Sequence, residues 1–381
     1  MKKIFIITGE QSGDMHASAL IQDLLKYNEK LQISAIGGNY IKRFPVKIFK
    51  SIDEMAVIGL IEALKKIRFF KKLLVETLEY IKSEKFDIII FVDYPGFNLT
   101  LAERIKKNNI QAKLVYYISP QIWAWHTSRI YKIDKLFDKI LVIFDFEKKF
   151  YDKYLQDKNK TQFVGHPLMK RISSEYYYEN LKNRKNYILF LPGSRENEIK
   201  KLLPELINTA ILINQKYPNY KIIISAADIK KINLIKSYIP QNLKNYYIIA
   251  GAVYSLIQNA KIVIVASGTA TLETGIIAAP MIVIYKVNFI TGLLAQLLIK
   301  IKYISLINIV LEQNAVKEFI QNQMTAQNIF SEIVNILEDE NYAAALHKEI
   351  KNCRKLLNAN ADTTAAAEII KLLNRINSNN N

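Results

Sequence analysis

An alternation of short apolar runs and longer amphipathic stretches most constrains the fold of this chain. The first series of β-branched runs is Lys3–Thr8, Ile33–Ile36, Asp87–Val92, Lys113–Ile118, Lys139–Phe144 and Gln162–Val164, with helical stretches such as Asn98–Lys107 and Phe146–Leu155 between them. The second series is Tyr187–Leu191, Lys221–Ser225, Tyr246–Ala250, Lys261–Ala266 and Met281–Tyr285. Repeated βα units of this kind are typical of a mostly parallel sheet covered on both faces. The sequence therefore predicts an α/β fold of two Rossmann-like domains facing a cleft.

A polar, tyrosine-rich segment separates the two series, and 381 residues are too many for one comfortable core. We predict a first domain at 1–167, a linker at 168–186, a second domain at 187–345, and C-terminal helices at 346–381. From about Val316 onward we recognise only helical patterning. By analogy with related two-domain folds, we expect the last helices to pack partly on the first domain.

Several features bear on the compartment. The only cysteine, Cys353, cannot form an internal disulfide and offers no zinc-binding spacing, which favours a reducing cytoplasm. The apolar run at the N-terminus is too short for a signal peptide. Residues 274–299 carry a single charge, Lys286, but Gly275, Pro280 and the strand-like run Met281–Tyr285 divide them, so we reject a membrane span there.

The chain carries a formal net charge of +18. Such a charge indicates a polyanionic binding partner, either nucleic acid or an anionic membrane, or else a bias toward lysine in the composition. Charge alone does not separate these explanations.

The loop after the first predicted strand contains Gly9, Glu10, Ser12, Gly13 and Asp14 and leads into a helix. Ligands of open α/β sheets bind at the carboxyl ends of strands, where backbone N–H groups converge. The glycine spacing does not make a dinucleotide-binding fingerprint. A tight turn capped by Ser12 or Asp14 explains this loop equally well.

Asp93 ends another predicted strand and is followed by Tyr94, Pro95, Gly96, Phe97 and Asn98. A carboxylate held by a rigid turn in a partly apolar cleft is a candidate general base, because burial pushes its pKa toward neutrality. Capping of the next helix is the alternative role.

A dense aromatic segment follows the next strand, with Ser119, Gln121, Trp123, Trp125 and His126. Aromatic faces bind sugar rings or acyl chains, although buried packing is the commoner role of such residues. A lone histidine such as His126 is more often structural than a proton donor.

Two loops of the second domain are candidates for binding anions. One contains Ser194, Arg195 and Glu198, and the other contains Ser267, Gly268, Thr269, Thr271 and Glu273. Small residues leave a helix N-terminus open to phosphate, an arginine meets the charge of a diphosphate, and Glu273 would accept hydrogen bonds from ribose hydroxyls. Helix capping explains part of either loop. Because no Asp-x-Asp pair occurs, we expect no metal and no other cofactor.

Taken together, these motifs resemble those of the lipid-A-disaccharide synthase family, in the same order and over nearly the whole chain. The segments that carry the resemblance are Gly9–Asp14, Ala56–Glu62, Asp93–Asn98, Ser119–Trp125, Phe146–Tyr151, Val164–Pro167, Leu191–Arg195, Ser267–Glu273 and Pro280–Met281. Asn308 also matches a family position near the nucleotide, although Ile307 replaces the usual preceding proline. Gly96 stands where some members have a second aspartate.

The resemblance implies a glycosyltransferase-B fold and a metal-independent enzyme of lipid A biosynthesis. Such an enzyme transfers 2,3-diacylglucosamine from its UDP conjugate to 2,3-diacylglucosamine 1-phosphate (lipid X), and yields the β-1,6-linked disaccharide phosphate and UDP with inversion. Inversion by single displacement requires a base on the acceptor hydroxyl and stabilisation of departing UDP. Asp93 fits the first role, and Arg195 with the Ser267–Glu273 helix start fits the second.

Acylated substrates further imply work on the cytoplasmic face of the bacterial inner membrane, in contact with anionic phospholipid. The stretch from Ile58 to Val75 is basic and amphipathic, as expected of a helix in the headgroup plane. Its candidate membrane contacts are Ile61, Leu64, Lys65, Lys66, Arg68, Phe69, Phe70, Lys71 and Lys72. An ordinary surface helix is the alternative.

Two rival functions stay open. One is another UDP-sugar enzyme of the same fold, such as a UDP-N-acetylglucosamine 2-epimerase, which would not need the basic amphipathic stretch. The other is a nucleic-acid-binding protein that uses the positive charge and the tryptophans. The second rival leaves Asp93 and the anion-binding loops without a shared purpose, and no nucleic-acid-binding module is recognisable.

Overall fold

Parallel β-sheets organise both halves of the computed structural model, which describes residues 1–54, 63–120, 122–123, 127–286, 302–358 and 363–378. The chain divides into two units. Unit 1 comprises Met1–Pro167 with Asn360–Asn381, and unit 2 comprises Leu168–Ala359. Each unit is an α/β domain with a parallel sheet, so the predicted pair of Rossmann-like domains is confirmed.

The sheet of unit 1 has the strand order β3-β2-β1-β4-β5-β6-β7, and every pairing is parallel. Its strands are β1 Lys3–Ile7, β2 Gln32–Gly37, β3 Lys47–Ser51, β4 Ile88–Val92, β5 Lys113–Tyr117, β6 Lys139–Val142 and β7 Thr161–Phe163. The strand order reverses between β1 and β4. In open α/β sheets, the crevice for ligands lies at the carboxyl ends of the two strands that flank this reversal.

Helices cover this sheet, and the central strand β4 is buried along its whole length. The helices are α1 Gln11–Tyr27, α2 Ala63–Glu84, α3 Pro95–Lys107, α4 Arg129–Leu136 and α5 Asp145–Tyr154. Because both faces of a parallel sheet are covered, its strands read as continuous apolar runs, as in Ile88–Val92. This explains why the central strands were predictable from the sequence.

The sheet of unit 2 is also parallel, with the order β10-β9-β8-β11-β12-β13 and a reversal between β8 and β11. Its strands are β8 Lys185–Leu191, β9 Lys221–Ala226, β10 Tyr246–Ala250, β11 Ala260–Ala266, β12 Met281–Tyr285 and β13 Glu318–Ile320. The helices are α6 Leu168–Arg171, α7 Glu196–Lys216, α8 Ile232–Lys236, α9 Val253–Asn259, α10 Thr269–Ile276, α11 Leu306–Leu311, α12 Ala326–Glu338 and α13 Glu340–Asn358.

A buried arginine fastens the loops at the amino ends of these strands. Arg184 immediately precedes β8, is 5% exposed, and donates hydrogen bonds to five carbonyl oxygens. The acceptors lie in two segments, Ile257 to Ala260 and Ile277 to Ala278. Burial lowers the pKa of Arg184 to about 10. The guanidinium therefore ties β8 to the segments that lead into β11 and β12.

The last described helix, α14 at Ala365–Ser378, belongs to unit 1 and packs against α1. Glu368 of α14 is nearly buried and forms an ion pair of 3.0 Å with Lys139 at the start of β6. The helix before it, α13, belongs to unit 2.

Two strands were missed from the sequence. The first, β3, is an edge strand whose residues are half-buried or exposed, so its apolar signal is weak. The second, β13, contradicts the prediction that only helical patterning follows Val316. It is a three-residue edge strand paired with β12, and so short a segment gives no readable period. Among the helices of the described ranges, none combines the length and apolar character needed to cross a membrane.

Candidate active site

The two candidate loops of unit 1 meet where the strand order reverses. Gly9 follows β1 and Asp93 follows β4, and these strands are neighbours in the sheet. A Cβ atom on Gly9 would lie only 2.1 Å from Cγ of Tyr94. Glycine is therefore required at position 9 because the ring of Tyr94 packs directly on its backbone.

The turn that carries Asp93 has an unusual backbone held by side chains. Asp93 and Tyr94 have φ angles of 49° and 48°, in the left-handed region that non-glycine residues rarely adopt. The carbonyl oxygen of Asp93 accepts hydrogen bonds from the Asn98 amide at 2.6 Å and from the Tyr116 hydroxyl at 3.1 Å. The structure thus places Asn98 beneath the turn, fully buried, where it supports the backbone of Asp93.

A cavity of about 310 Å³ opens beside this turn, at the carboxyl ends of β4, β5 and β6. Its walls are mostly apolar, with a few converging polar side chains, which is the usual character of a ligand-binding pocket. The lining residues are Asp93, Pro95, Ile118, Ser119, Pro120, Ile122, Arg129, Ile143, Phe144 and Glu147.

Asp93 is exposed to solvent at the cavity, although the protein around its carboxyl group removes part of its hydration. Burial accordingly raises the pKa of its carboxyl group, the Tyr94 N–H opposes this shift by donating to the carboxylate, and the negative charge of Glu10 adds to it. The carboxyl group is therefore more basic than an ordinary aspartate while it faces an open pocket. These are the properties of a general base.

Glu147, in the first turn of α5, is the second carboxyl group of the cavity and is 1% exposed. Its carboxylate accepts hydrogen bonds from Trp123 Nε1 at 3.2 Å and from the backbone N–H groups of Ile143 and Phe144, each at 3.3 Å. Burial raises the pKa of Glu147 to about 8, against the effect of these donors, and the negative charge of Asp93 also raises it.

The other predicted residues of unit 1 differ in their surroundings. Ser119 lines the cavity and shares a hydrogen bond with Tyr151, whereas Trp123 is not a lining residue but contacts one, Glu147. Asp14 is buried and accepts hydrogen bonds from the backbone of Gly38 at 2.6 Å and of Tyr40 at 2.9 Å, so it holds the loop after β2.

Glu10 and Ser12 are exposed beside the turn, and Gly13 is buried in α1. Gln121, Trp125 and His126 lie outside the described residues.

Sequence reasoning did not single out Glu147 or Arg129 for this cavity. Glu147 gives no recognisable capping signature because the residue before α5 is Phe144 rather than serine or threonine. Its place in the sequence was the usable signal, because Glu147 follows the carboxyl end of the parallel strand β6 by five residues and Asp93 directly follows β4 at the same edge of the sheet.

The first candidate loop of unit 2 follows β8 and is shaped by its own glutamate. Glu198 accepts hydrogen bonds from the backbone N–H groups of Ser194 and Arg195, and burial raises its pKa. Gly193 has a φ of 101°, and a Cβ there would lie 2.0 Å from the Glu198 carboxylate. The guanidinium-bearing Arg195 is exposed. Glu198 thus sets the shape of the loop, and Arg195 is its solvent-facing cation.

The second candidate loop follows β11, the neighbour of β8 at the reversal of this sheet. Thr269 is exposed at the start of α10, Ser267 and Gly268 are half-buried, and buried Thr271 donates its hydroxyl to Gly268 O at 2.8 Å. Glu273 accepts a hydrogen bond of 3.0 Å from the Tyr254 hydroxyl.

Arg171 also lies beside Glu273, with Nη1 3.9 Å from the carboxylate, and its guanidinium stands 5.4 Å from the centre of the Tyr254 ring. Burial raises the pKa of Glu273, opposed by Arg171 and Tyr254. The sequence did not point to Arg171 as a partner of this carboxylate.

Asn308 is fully buried, and its side chain is used within the fold. Its amide accepts from Val316 N at 3.0 Å and donates to Val316 O at 2.9 Å and to Glu318 Oε1 at 2.8 Å. Glu318 in turn binds Ser305, and the Ser267 hydroxyl donates to the neighbouring Ile304 O at 3.4 Å. Asn308 therefore organises a loop that reaches Ser267.

Only part of the predicted membrane-contact stretch is described. Arg68, Lys71 and Lys72 are exposed on α2, whereas Phe69 and Phe70 are half-buried and pack against the core of unit 1. Ile61 and the side chains of Leu64, Lys65 and Lys66 lie outside the described part.

Comparison with known proteins gives one consistent family. A family model described as lipid-A-disaccharide synthetase matches residues 4–370. Lipid-A-disaccharide synthase 1 of Legionella pneumophila is 34% identical over 363 residues, which cover 94% of this chain and 94% of the relative. The lipid-A-disaccharide synthase of Coxiella burnetii is 33% identical over 378 residues, covering 97% and 98%.

Solved structures share the fold at much lower identity. A putative UDP-N-acetylglucosamine 2-epimerase from Listeria monocytogenes matches with a TM-score of 0.67 at 14% identity, over 97% of this chain and 94% of that one. Acinetobacter baumannii MurG matches with a TM-score of 0.57 at 12% identity, over 98% and 100%. At these identities the likeness shows the two-domain Rossmann-like architecture and nothing more specific.

Proposed function

The chain belongs to the lipid-A-disaccharide synthase family, a family of glycosyltransferases, and from this premise we propose that it condenses UDP-2,3-diacylglucosamine with lipid X. The products are the β-1,6-linked lipid A disaccharide 1-phosphate and UDP. The observation that carries the proposal is the Asp93 cavity, in which a carboxylate of raised pKa faces a largely apolar pocket.

Asp93 acts as the base in this proposal. As the acceptor 6-hydroxyl attacks the anomeric carbon of the donor, its proton passes to the Asp93 carboxylate while the bond to UDP breaks. A positioned base of this kind contributes about 10²- to 10⁴-fold to the rate. The Tyr94 N–H, Asn98 and Tyr116 fix the turn, so the carboxylate is oriented before the acceptor arrives.

Unit 2 binds the donor in this proposal. The exposed guanidinium of Arg195 and the start of α10 at Thr269 counter the charge that builds on departing UDP. The Glu273 carboxylate accepts hydrogen bonds from the ribose hydroxyls, since it is already oriented by Tyr254. Glu198 and Asn308 act through the loops they shape, because their own polar groups are engaged there.

We place the enzyme on the cytoplasmic face of the inner membrane as a peripheral protein. Exposed Arg68, Lys71 and Lys72 on α2 supply positive charge toward anionic phospholipid. Phe70 of the same helix lies 6.4 Å from the ring of Tyr94, so α2 is packed onto the Asp93 turn. A helix that touches both lipid and this turn would deliver acyl chains close to the base.

The direct test is product analysis with purified protein in detergent micelles. Given UDP-2,3-diacylglucosamine and lipid X, the protein is expected to form disaccharide and UDP in equal amounts. Given UDP-N-acetylglucosamine alone, it is expected to leave the sugar unchanged. Epimerised UDP-sugar without disaccharide, across several acyl lengths, would replace the proposed transferase by a UDP-sugar epimerase of the same fold.

A further inference from the structure

Glu147 lies in the Asp93 cavity but takes no part in the proton transfer proposed above. One oxygen of its carboxyl group accepts the indole N–H of Trp123, and the other accepts the N–H groups of Ile143 and Phe144. A single buried side chain thus joins the end of β6, the start of α5 and the aromatic segment after β5.

The indole bound by Glu147 belongs to a row of three rings that ends at the cavity wall. Trp123 meets Phe146 edge-on at 5.0 Å, Phe146 stacks on Phe144 at 5.2 Å, and Phe144 lines the cavity. Aromatic contacts leave a ring free to slide and tilt, whereas a hydrogen bond fixes one atom of it. The contact with Glu147 therefore sets where the indole stands.

Charge gives Glu147 a second effect. Two ionised carboxylates in one small, mostly apolar cavity repel each other, so one of them keeps its proton. Among the described lining residues, Arg129 is the only cation, and the others are apolar apart from Ser119 and the two carboxyl groups. Glu147 is the more deeply buried of the two carboxyl groups.

We propose that Glu147 is a positioning residue of the transfer reaction, which anchors Trp123 beside the cavity wall and leaves Asp93 as the one charged carboxylate among the described lining residues. This inference rests on the proposed function, because it takes Asp93 as the base. The acceptor is itself anionic through its 1-phosphate. When Glu147 ionises at high pH, the second negative charge in the cavity weakens acceptor binding while Asp93 stays ionised.

Three buried titratable groups around Glu147 do not account for a transition near pH 8. Burial lowers the pKa of His166, which packs on Phe144, to about 3. Burial raises the pKa of Tyr151, on the same helix as Glu147, and of Tyr116 above the usual range for a phenol. The remaining neighbours are Asp93 at the end of β4, Arg129 on α4, and His16, whose ring meets that of His166 edge-on.

Tryptophan fluorescence tests the anchor without substrate. The chain has two tryptophans, so Trp125→Phe leaves Trp123 as the only indole, and its emission is recorded from about pH 6 to about pH 10. We expect a transition near pH 8 that is absent after Glu147→Gln and retained after Glu332→Gln. Glu332 is a matched control, because it is also buried but lies in unit 2. An unchanged transition in Glu147→Gln, or none in the parent, would overturn the assignment.

Kinetics then test the effect on the reaction. For the wild type, the KM for lipid X should rise about tenfold above pH 8, with a smaller change in kcat, because one added charge acts at short range. In Glu147→Gln, the KM should be independent of pH over this range. A KM that rises equally in both proteins would refute the positioning role. Absence of any disaccharide with intact fluorescence transitions would refute the proposed function instead.

Discussion

A methyl group added at Gly9 should disable the enzyme through Tyr94. The new Cβ would stand 2.1 to 2.4 Å from three atoms at the base of the Tyr94 ring, so the ring must retreat by about 1.3 Å to reach ordinary contact at 3.4 Å. Tyr94 follows Asp93 directly, and its N–H binds the Asp93 carboxylate. Since a displacement of about 1 Å at a reacting group costs on the order of 10²-fold, Gly9→Ala should lower kcat/KM about 100-fold.

Gly9→Ala should also lower the free energy of unfolding, by about 1 to 3 kcal/mol, as at other overpacked sites. The matched control is Gly96→Ala, in the same turn, where an added Cβ meets nothing within 4 Å. This variant should gain about 0.5 to 1 kcal/mol as a helix residue and change kcat/KM less than about threefold. Disaccharide formation and urea unfolding measure both effects. Wild-type kcat/KM and stability in Gly9→Ala would show that the ring does not pack on position 9.

Two further predictions concern stability and pH. Arg184→Met should lower the free energy of unfolding by about 3 to 5 kcal/mol, because five buried carbonyl oxygens lose a charged donor. The exposed neighbour Lys182→Met should change it by less than about 0.5 kcal/mol, and equal urea midpoints for the two variants would contradict this role. Because the base works ionised and burial raises the pKa of Asp93, kcat/KM should be highest between that pKa and about pH 8. It should fall as pH drops through the pKa of Asp93, at a pH above the ordinary aspartate range. A kcat/KM that stays constant as the pH is lowered to the ordinary pKa range of aspartate would contradict the raised pKa of Asp93.

The positions of the central strands and of the loops after them could be predicted from the sequence, because buried strands have a strong apolar pattern. Strands such as Ile88–Val92 are covered on both faces and read as unbroken apolar runs. Residues at their carboxyl ends, such as Asp93 and Thr269, could then be assigned to the ligand edge of each sheet by topology. Edge strands β3 and β13 were not predicted, because short and partly exposed segments show little hydrophobic periodicity.

Side-chain partners could not be read from spacing. Asp14 and Asn308 stand in motifs that suggest ligand contact, yet both side chains are buried and bind backbone groups of the fold. Asp14 accepts hydrogen bonds from the loop after β2, and Asn308 exchanges hydrogen bonds with Val316. Glu147 shows the converse. Its helical position looks ordinary, and only the packing of Trp123 and Phe144 around it brings its carboxyl group into the cavity with Asp93.

The measurement that tests the central claim most directly is disaccharide formation by the wild type and Asp93→Asn, with EDTA present and UDP binding followed in parallel. Asparagine keeps the shape of the side chain but cannot accept the proton. We expect the variant to bind UDP as the wild type does and to lose about 10²- to 10⁴-fold in kcat. Turnover by Asp93→Asn at the wild-type rate would contradict the account, because the cavity would then hold no catalytic base at this position.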